Sequence, residues 1–199
     1  MKIGFDMDEV IADTMNKYLD FYNLKTGKKV KINDLKYYNH WENLAISGTR
    51  DEAIKNFDDF YDSDSFERIG LIDGAEKGIE KLSENNELFI ITSRPLRFKE
   101  KTERFVCKYF SKIPIQLFYS GDFYNQHDMG KASICAREDL DIFIEDNLEY
   151  AVSCSEKGIK TFLLNKPWNQ GESNGVIRVY NWDEILKKIN KLNMMNKEI

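Results

Sequence analysis

The chain has 199 residues, of which 42% are hydrophobic and 32% charged, which is typical of one globular domain with at most a small insert. The net charge of −5, without a basic stripe, argues against a nucleic acid polymer as partner. No apolar run approaches the roughly 18 residues of a membrane span, and three cysteines without metal-ligand spacing fit a reduced, cytoplasmic protein.

The first predicted strand begins at Lys2 and ends in two acidic residues, Asp6 and Asp8. Side chains two positions apart on a strand point the same way, so these carboxylates should repel each other. A bound cation, most often a divalent metal ion, is the best explanation of such a pair.

The next stretch is helical and rich in aromatic residues. A helix capped by Asp13 or Thr14 is predicted to run to about Lys25, and Thr49 starts a capping box that opens a second helix. No strand pattern interrupts these helices. The predicted domains are therefore a core of residues 1–14 and 71–199 and an inserted helical cap of residues 15–70.

From about Leu71 onward, short apolar strands alternate with helices. This alternation predicts an α/β fold in which helices cover both faces of a parallel sheet. A polar loop is predicted at 121–130. The later strands are predicted at 88–93, 115–119, 142–144, 160–164 and 176–180. The helices of this part are predicted near 74–85, 98–110, 131–137, 148–157 and 182–192.

Polar side chains occur where these strands end, and in open parallel sheets ligands bind at the carboxyl ends of the strands. The set contains no cluster of Cys or His, so an oxygen-preferring ion such as Mg²⁺ is favoured over zinc. Carboxylates, hydroxyls and a lysine beside such an ion suit phosphoryl transfer. The residues are Asp6, Asp8, Thr92, Ser93, Lys131, Glu145 and Asp146.

Four stretches resemble, in the right order, the four motifs of the haloacid dehalogenase (HAD) superfamily, which has a Rossmann-like core. They are Asp6-Met-Asp-Glu-Val10, Ile91-Thr-Ser93, Lys131 and Ile144-Glu-Asp-Asn147. Within that superfamily, residues 6–13, 92–95 and 163–169 resemble the 5'(3')-deoxyribonucleotidase family and its bacterial relatives. The resemblance implies a magnesium-dependent phosphatase.

The resemblance also implies catalytic roles for the first motif. Asp6 would be the nucleophile and a metal ligand. Asp8 would be the general acid/base, and its backbone carbonyl would bind Mg²⁺. Dehalogenases of this superfamily lack a carboxylate at the position of Asp8, so its presence favours phosphate esters as substrates.

The other motifs would hold the phosphoryl group and the metal ion. By resemblance, Thr92, Ser93 and Lys131 would bind the phosphoryl oxygens. Asp146 would be the third protein ligand of the metal, with Glu145 either behind it or competing for that role.

The position of the cap resembles that of small-molecule phosphatases, and a nucleoside monophosphate is the expected substrate. Trp41 is the preferred cap residue for a nucleobase contact, although the cap aromatics could instead form the cap's own core. Arg94 is a second candidate contact, with a structural role as the alternative. The alternatives are a phosphatase for another metabolite such as a sugar phosphate and a non-catalytic phospholigand-binding protein. The aromatic candidates are Tyr37, Tyr38, Trp41, Phe57 and Tyr61.

Overall fold

The computed structural model describes residues 1–46, 48–121, 130–172 and 175–195, so the loop predicted at 121–130 lies almost entirely outside the described residues. One sheet has the order β3-β2-β1-β4-β5-β6. Every strand pairing is parallel, which confirms the predicted fold class. The strands are β1 (Lys2–Phe5), β2 (Glu87–Thr92), β3 (Ile115–Tyr119), β4 (Ile142–Glu145), β5 (Lys160–Leu164) and β6 (Ile177–Val179).

The predicted helices begin and end close to the predicted positions, and the short helix Asp64–Glu67 is not among those that the sequence predicts. Thr49 caps the second helix by accepting the N–H of Glu52 at 3.2 Å. The Glu52 carboxylate accepts the backbone N–H of Gly48 at 3.0 Å. In a full capping box it would accept the backbone N–H of Thr49 instead. In the described part of the chain, no helix is long and apolar enough to cross a membrane. The helices are α1 (Thr14–Thr26), α2 (Arg50–Tyr61), α3 (Asp64–Glu67), α4 (Ala75–Ser83), α5 (Lys99–Phe110), α6 (Lys131–Arg137), α7 (Leu148–Glu156) and α8 (Trp182–Met195).

The sheet is buried on both faces. Successive side chains of a strand point to opposite faces, and in β2 the adjacent residues Ile90 and Ile91 belong to two different hydrophobic clusters. The first cluster contains Ile185 of α8, and the second contains Ile134 of α6. Helices therefore cover both faces, as the alternating pattern predicts.

The helical insert, residues 15–70, packs through its aromatic side chains. Tyr18 of α1 stacks on Phe57 of α2 with ring centroids 4.0 Å apart. Tyr61 stacks on Phe98, which follows β2, with centroids 4.1 Å apart. Because Tyr18 and Phe57 share one hydrophobic cluster with Phe5 of β1, the insert is packed continuously against the sheet. The domain boundaries at 14/15 and 70/71 stay a prediction.

Candidate active site

The chain turns sharply after β1 and leaves two carboxylates at the sheet edge. The N–H of Asp6 still bonds to the carbonyl of Ile144 in β4 at 2.8 Å. In the turn that follows, the N–H groups of Ile11 and Ala12 both bond to the carbonyl of Met7, at 3.0 and 2.8 Å. This tight turn fixes the position of Asp8 within it.

Glu9, in the same turn, has a φ of 64°, a conformation that non-glycine residues rarely adopt. Its buried carboxylate accepts the Met15 N–H at 2.6 Å and the Lys166 Nζ at 2.9 Å. Burial raises the pKa of Glu9, and Lys166 opposes that shift. These bonds hold the turn in its unusual conformation.

An acidic cluster lies where β1 and β4 end. Carboxylate oxygens of Asp6, Glu145 and Asp146 lie within 4.8 Å of one another, and all three residues are buried. Lys131, at the start of α6, bonds through Nζ to Asp6 Oδ1 at 2.8 Å and to Glu145 Oε2 at 2.9 Å. Lys131 thus bonds to two of the three carboxylates.

The electrostatics of the cluster follow from burial and mutual repulsion. Burial, and next the charge of Glu145, raise the pKa of Asp6 well above its usual range. Burial, Glu145 and Asp6 do the same to the pKa of Asp146. Burial alone would lower the pKa of Lys131, but the charges of Asp6 and Glu145 outweigh it and raise that pKa.

Glu145 and Asp146 differ in how their oxygens are used. Glu145 Oε2 accepts from Lys131, and Oε1 accepts the N–H groups of Asp146 and Asn147 at 3.0 and 2.9 Å. Asp146 Oδ2 accepts the indole N–H of Trp168 at 2.8 Å. Both oxygens of Glu145 therefore have partners, whereas only Oδ2 of Asp146 has one among the described residues.

Asp8 is paired with Arg94, the predicted substrate contact. Arg94 Nε donates to Asp8 Oδ2 at 2.9 Å and Nη2 donates to Oδ1 at 2.6 Å, while the Thr14 hydroxyl also donates to Oδ1. Burial would raise the pKa of Asp8, but Arg94 and Thr14 outweigh it, and that pKa is lowered. Arg94 is 2% exposed, and its Nη1 has no hydrogen-bond partner among the described residues.

Thr92 and Ser93, the two hydroxyl side chains at the end of β2, lie in different environments. Ser93 lines the pocket above the sheet edge, and its Oγ lies 2.9 Å from that of Ser120. Thr92 is fully buried, accepts the N–H of Arg94 at 3.1 Å and is not among the side chains that line this pocket. The structure therefore brings Ser93, more directly than Thr92, to the cavity.

The pocket has a second wall, which comes from the helical insert. Trp41 is not part of it: its ring faces the guanidinium of Arg50, which lies 5.6 Å from the ring centroid. Trp41 lies in the single turn His40–Glu42 that packs against α2, and this placement argues against the predicted substrate contact. The insert residues that line the pocket are Met15, Leu35, Tyr37, Tyr38, Phe57 and Tyr61.

Tyr38 reaches from the insert to the acidic cluster. Its ring meets that of Tyr150 edge-on, with centroids 6.4 Å apart. Burial, and then the negative charges of Asp146 and Asp6, raise its pKa well above the ordinary value. The two walls of the pocket therefore meet at the carboxylates.

The loop that follows β5 contributes two more residues to the site, which are not among those predicted from the sequence. Its Lys166 binds Glu9 and its Trp168 binds Asp146, and Trp168 also lines the pocket. Both residues lie in the stretch 163–169, which resembles the nucleotidase family. That resemblance is the sequence signal that could have indicated a role for them.

A family model described as "5' nucleotidase, deoxy (Pyrimidine), cytosolic type C protein" matches residues 1–195. The chain belongs to this family of nucleotidases. It is 26% identical to a nucleotidase of Clostridium acetobutylicum, over 96% of this chain and 95% of the relative. It is 25% identical to a 5'(3')-deoxyribonucleotidase of Bacillus subtilis, over 94% of this chain and 97% of the relative.

The fold matches that of solved HAD hydrolases. One is YfnB of Bacillus subtilis, whose structure was determined with bound magnesium. The TM-score is 0.61 at 18% sequence identity, over 95% of this chain and 98% of that one. The fold is therefore that of the HAD hydrolases, and membership of the nucleotidase family makes the protein a hydrolase, as the four motifs predict.

Proposed function

We propose that this hydrolase is a magnesium-dependent phosphomonoesterase that acts on nucleoside monophosphates through an aspartyl-phosphate at Asp6. The observation that carries the proposal is the buried Asp6 carboxylate, bonded to Lys131 and close to Asp146, at the base of a partly aromatic pocket. The family, whose relatives include a 5'(3')-deoxyribonucleotidase, supports the substrate class.

The residues present fit a magnesium ion. Asp6, Asp146 and the backbone carbonyl of Asp8 would hold it, since Mg²⁺ prefers oxygen ligands and binds through a few carboxylates. Three buried carboxylates around Lys131 carry excess negative charge, which a divalent cation would balance. When bound, Mg²⁺ offsets negative charge on the phosphoryl oxygens.

The first half-reaction transfers the phosphoryl group to Asp6. Its Oδ1 accepts the N–H of Met7 at 2.7 Å and bonds to Lys131, which fixes the carboxylate against the incoming phosphorus. An Asp6 oxygen forms the new bond to phosphorus, the bond to the ester oxygen breaks, and that oxygen takes a proton from Asp8.

The acid role requires a protonated Asp8, although Arg94 lowers its pKa in the substrate-free protein. A phosphate dianion bound beside Asp8 raises that pKa, because like charges disfavour the ionised form. In the second half-reaction, the Asp8 carboxylate takes a proton from a water molecule, whose oxygen attacks phosphorus and releases Asp6. Phosphate leaves, and both carboxylates return to their starting states.

The helical insert would act as a cap that selects the substrate and excludes water. Ser93 and Lys131 line the pocket, where they would bind the phosphoryl oxygens. The aromatic side chains of the insert are candidates to stack on a nucleobase, a contact that favours flat ring systems. The family description "cytosolic type" supports a cytoplasmic location.

A substrate panel tests the proposal. Purified protein with Mg²⁺ is assayed for phosphate release from deoxyribo- and ribonucleoside monophosphates, sugar phosphates and 4-nitrophenyl phosphate. We expect the highest kcat/KM for a nucleoside monophosphate, loss of activity with EDTA, and a fall on the order of 10⁵-fold in Asp6→Asn.

The other outcomes separate the alternatives. A sugar phosphate as best substrate would support the broader metabolite phosphatase. Tight nucleotide binding without turnover of any ester would contradict the enzymatic proposal and support a non-catalytic binding protein.

A further inference from the structure

The loop after β5 donates a hydrogen bond to Asp146. The indole Nε1 of Trp168 lies 2.8 Å from Asp146 Oδ2, across 22 positions of sequence. Trp168 is half-buried and lines the same pocket as Asp6 and Asp146. The indole N–H can donate but not accept, so its partner is fixed as an acceptor oxygen.

The same loop also holds the backbone of Asp146. Asn169 Nδ2 donates to the carbonyl of Asp146 at 2.7 Å and to that of Leu164, the last residue of β5, at 2.8 Å. Arg178 of β6 fixes Asn169 in turn, through Nη1 to Oδ1 at 2.8 Å and Nη2 to the carbonyl at 2.7 Å. Trp168 therefore projects from a loop that two strands hold in place.

We propose that Trp168 is a positioning residue that orients Asp146 for the metal ion. The inference rests on the metal site of the proposed function. A carboxylate rotates easily about its last side-chain bond, and Asp6 and Glu145 lie within 4.8 Å of Asp146 and repel it. The hydrogen bond from the indole N–H holds Oδ2 in place. It therefore opposes both the rotation and the displacement by repulsion, and it leaves the other oxygen for the cation.

The size of the effect follows from the general behaviour of groups that support a metal ligand. Removing such a hydrogen-bond partner typically weakens metal affinity by about 10–100-fold. Trp168→Phe removes the N–H and keeps an aromatic ring in the pocket wall. Trp41→Phe is the matched control, because Trp41 does not line the pocket.

The first experiment is calorimetric titration of Mg²⁺ into substrate-free wild type, Trp168→Phe, Trp41→Phe and Asp146→Asn. We expect the Kd for Mg²⁺ to rise about tenfold or more in Trp168→Phe, to stay within twofold in Trp41→Phe, and binding to be lost in Asp146→Asn. At saturating Mg²⁺, kcat of Trp168→Phe should return to near the wild-type value, which damage to the fold would prevent.

A second measurement uses the wild-type protein alone, so it does not depend on whether a variant folds. The chain has three tryptophans, and their indole N–H signals can be followed by ¹H–¹⁵N NMR of wild-type protein during a Mg²⁺ titration. The Trp168 signal is expected to shift, because the carboxylate that accepts its hydrogen bond would bind the ion through its other oxygen, while the Trp41 signal should not.

The outcomes separate this inference from the proposed function. If wild type binds Mg²⁺ and Trp168→Phe has the same Kd, or if the Trp168 signal does not move, the positioning role is overturned and the metal site stands. If wild type binds no Mg²⁺, the proposed metal site itself fails and this inference fails with it.

Discussion

The two walls of the pocket are held together by different interactions. The core wall is formed by residues of the α/β core, and the insert wall by residues 15–70. On the core wall, charged groups are tied to one another, as in the bonds from Lys131 to Asp6 and Glu145 and from Arg94 to Asp8. On the insert wall, aromatic rings pack on other rings, as Phe57 does on Tyr18. Substitutions on the core wall should therefore affect charge balance and the chemical step, and those on the insert wall should affect substrate affinity.

The largest effect is expected on the core wall, at Lys131. Lys131→Met leaves the Asp6 and Glu145 carboxylates buried without their cation, so the free energy of unfolding should fall by about 3–5 kcal/mol and turnover should be lost. Urea denaturation of metal-free protein measures the stability. Lys99→Met is the control, because its pair with Glu103 is more than half exposed and should contribute less than about 1 kcal/mol. Equal losses in the two variants would contradict the view that the core wall is held by charge balance.

Asp8 provides the next test, through the chemistry of the leaving group. Asp8→Asn removes the proposed acid, and kcat/KM for a nucleoside monophosphate should fall by about 10²–10⁴-fold. The loss of kcat/KM should be much smaller for 4-nitrophenyl phosphate, since a nitrophenolate leaves without needing a proton, and kcat/KM does not include the later hydrolysis of the aspartyl-phosphate. Equal losses of kcat/KM for both substrates, measured at saturating Mg²⁺, would contradict the role of Asp8 as the acid.

A smaller effect is expected for Arg94, whose fork holds both oxygens of Asp8. Arg94→Lys keeps the charge and loses the two-point geometry, so kcat should fall by about 10–100-fold. Arg97→Lys is the matched control: Arg97 pairs with Asp58 at 2.6 Å, and both side chains are about two-fifths exposed, so its kcat should stay within about twofold. The measurement is kcat from steady-state kinetics of both variants. Equal losses of kcat in Arg94→Lys and Arg97→Lys would contradict a specific role for the two-point contact of Arg94 with Asp8.

The core wall could be largely predicted from the sequence because topology alone positions it. The ends of parallel strands meet at one edge, so Asp6, Ser93 and Asp146 had to lie near one another once the alternation of strands and helices was recognised. The ion pairs and hydrogen bonds within this wall are harder to predict from the sequence. Asp8 and Arg94 are 86 positions apart, and Glu9 and Lys166 are 157 apart. No local pattern predicts such pairs, because they depend on rotamers and loop paths.

The insert wall could not be predicted in the same way. Aromatic residues occur throughout residues 15–70, and their spacing does not distinguish rings that pack inside the insert from rings that face the pocket. The polar neighbourhood of Trp41 in the sequence favours it as the contact residue, yet it packs on Arg50, while Tyr37 and Tyr38 line the pocket. Polarity of neighbouring residues reports exposure to solvent, and it carries no information about which cavity a ring faces.

The smallest expected effect tests the insert wall at Tyr37. Its side chain lines the pocket and the residue is 55% exposed, so Tyr37→Ala should leave the fold intact. If Tyr37 stacks on the base, KM for a nucleoside monophosphate should rise about tenfold, since such a contact contributes about 1–3 kcal/mol. Its kcat, and the KM for 4-nitrophenyl phosphate, should stay near the wild-type values. Tyr180→Ala, at a residue 62% exposed and outside the pocket lining, is the control. A rise in KM for both substrates would mean that Tyr37 shapes the phosphate end, and the separation of chemistry from substrate choice between the two walls would then be wrong.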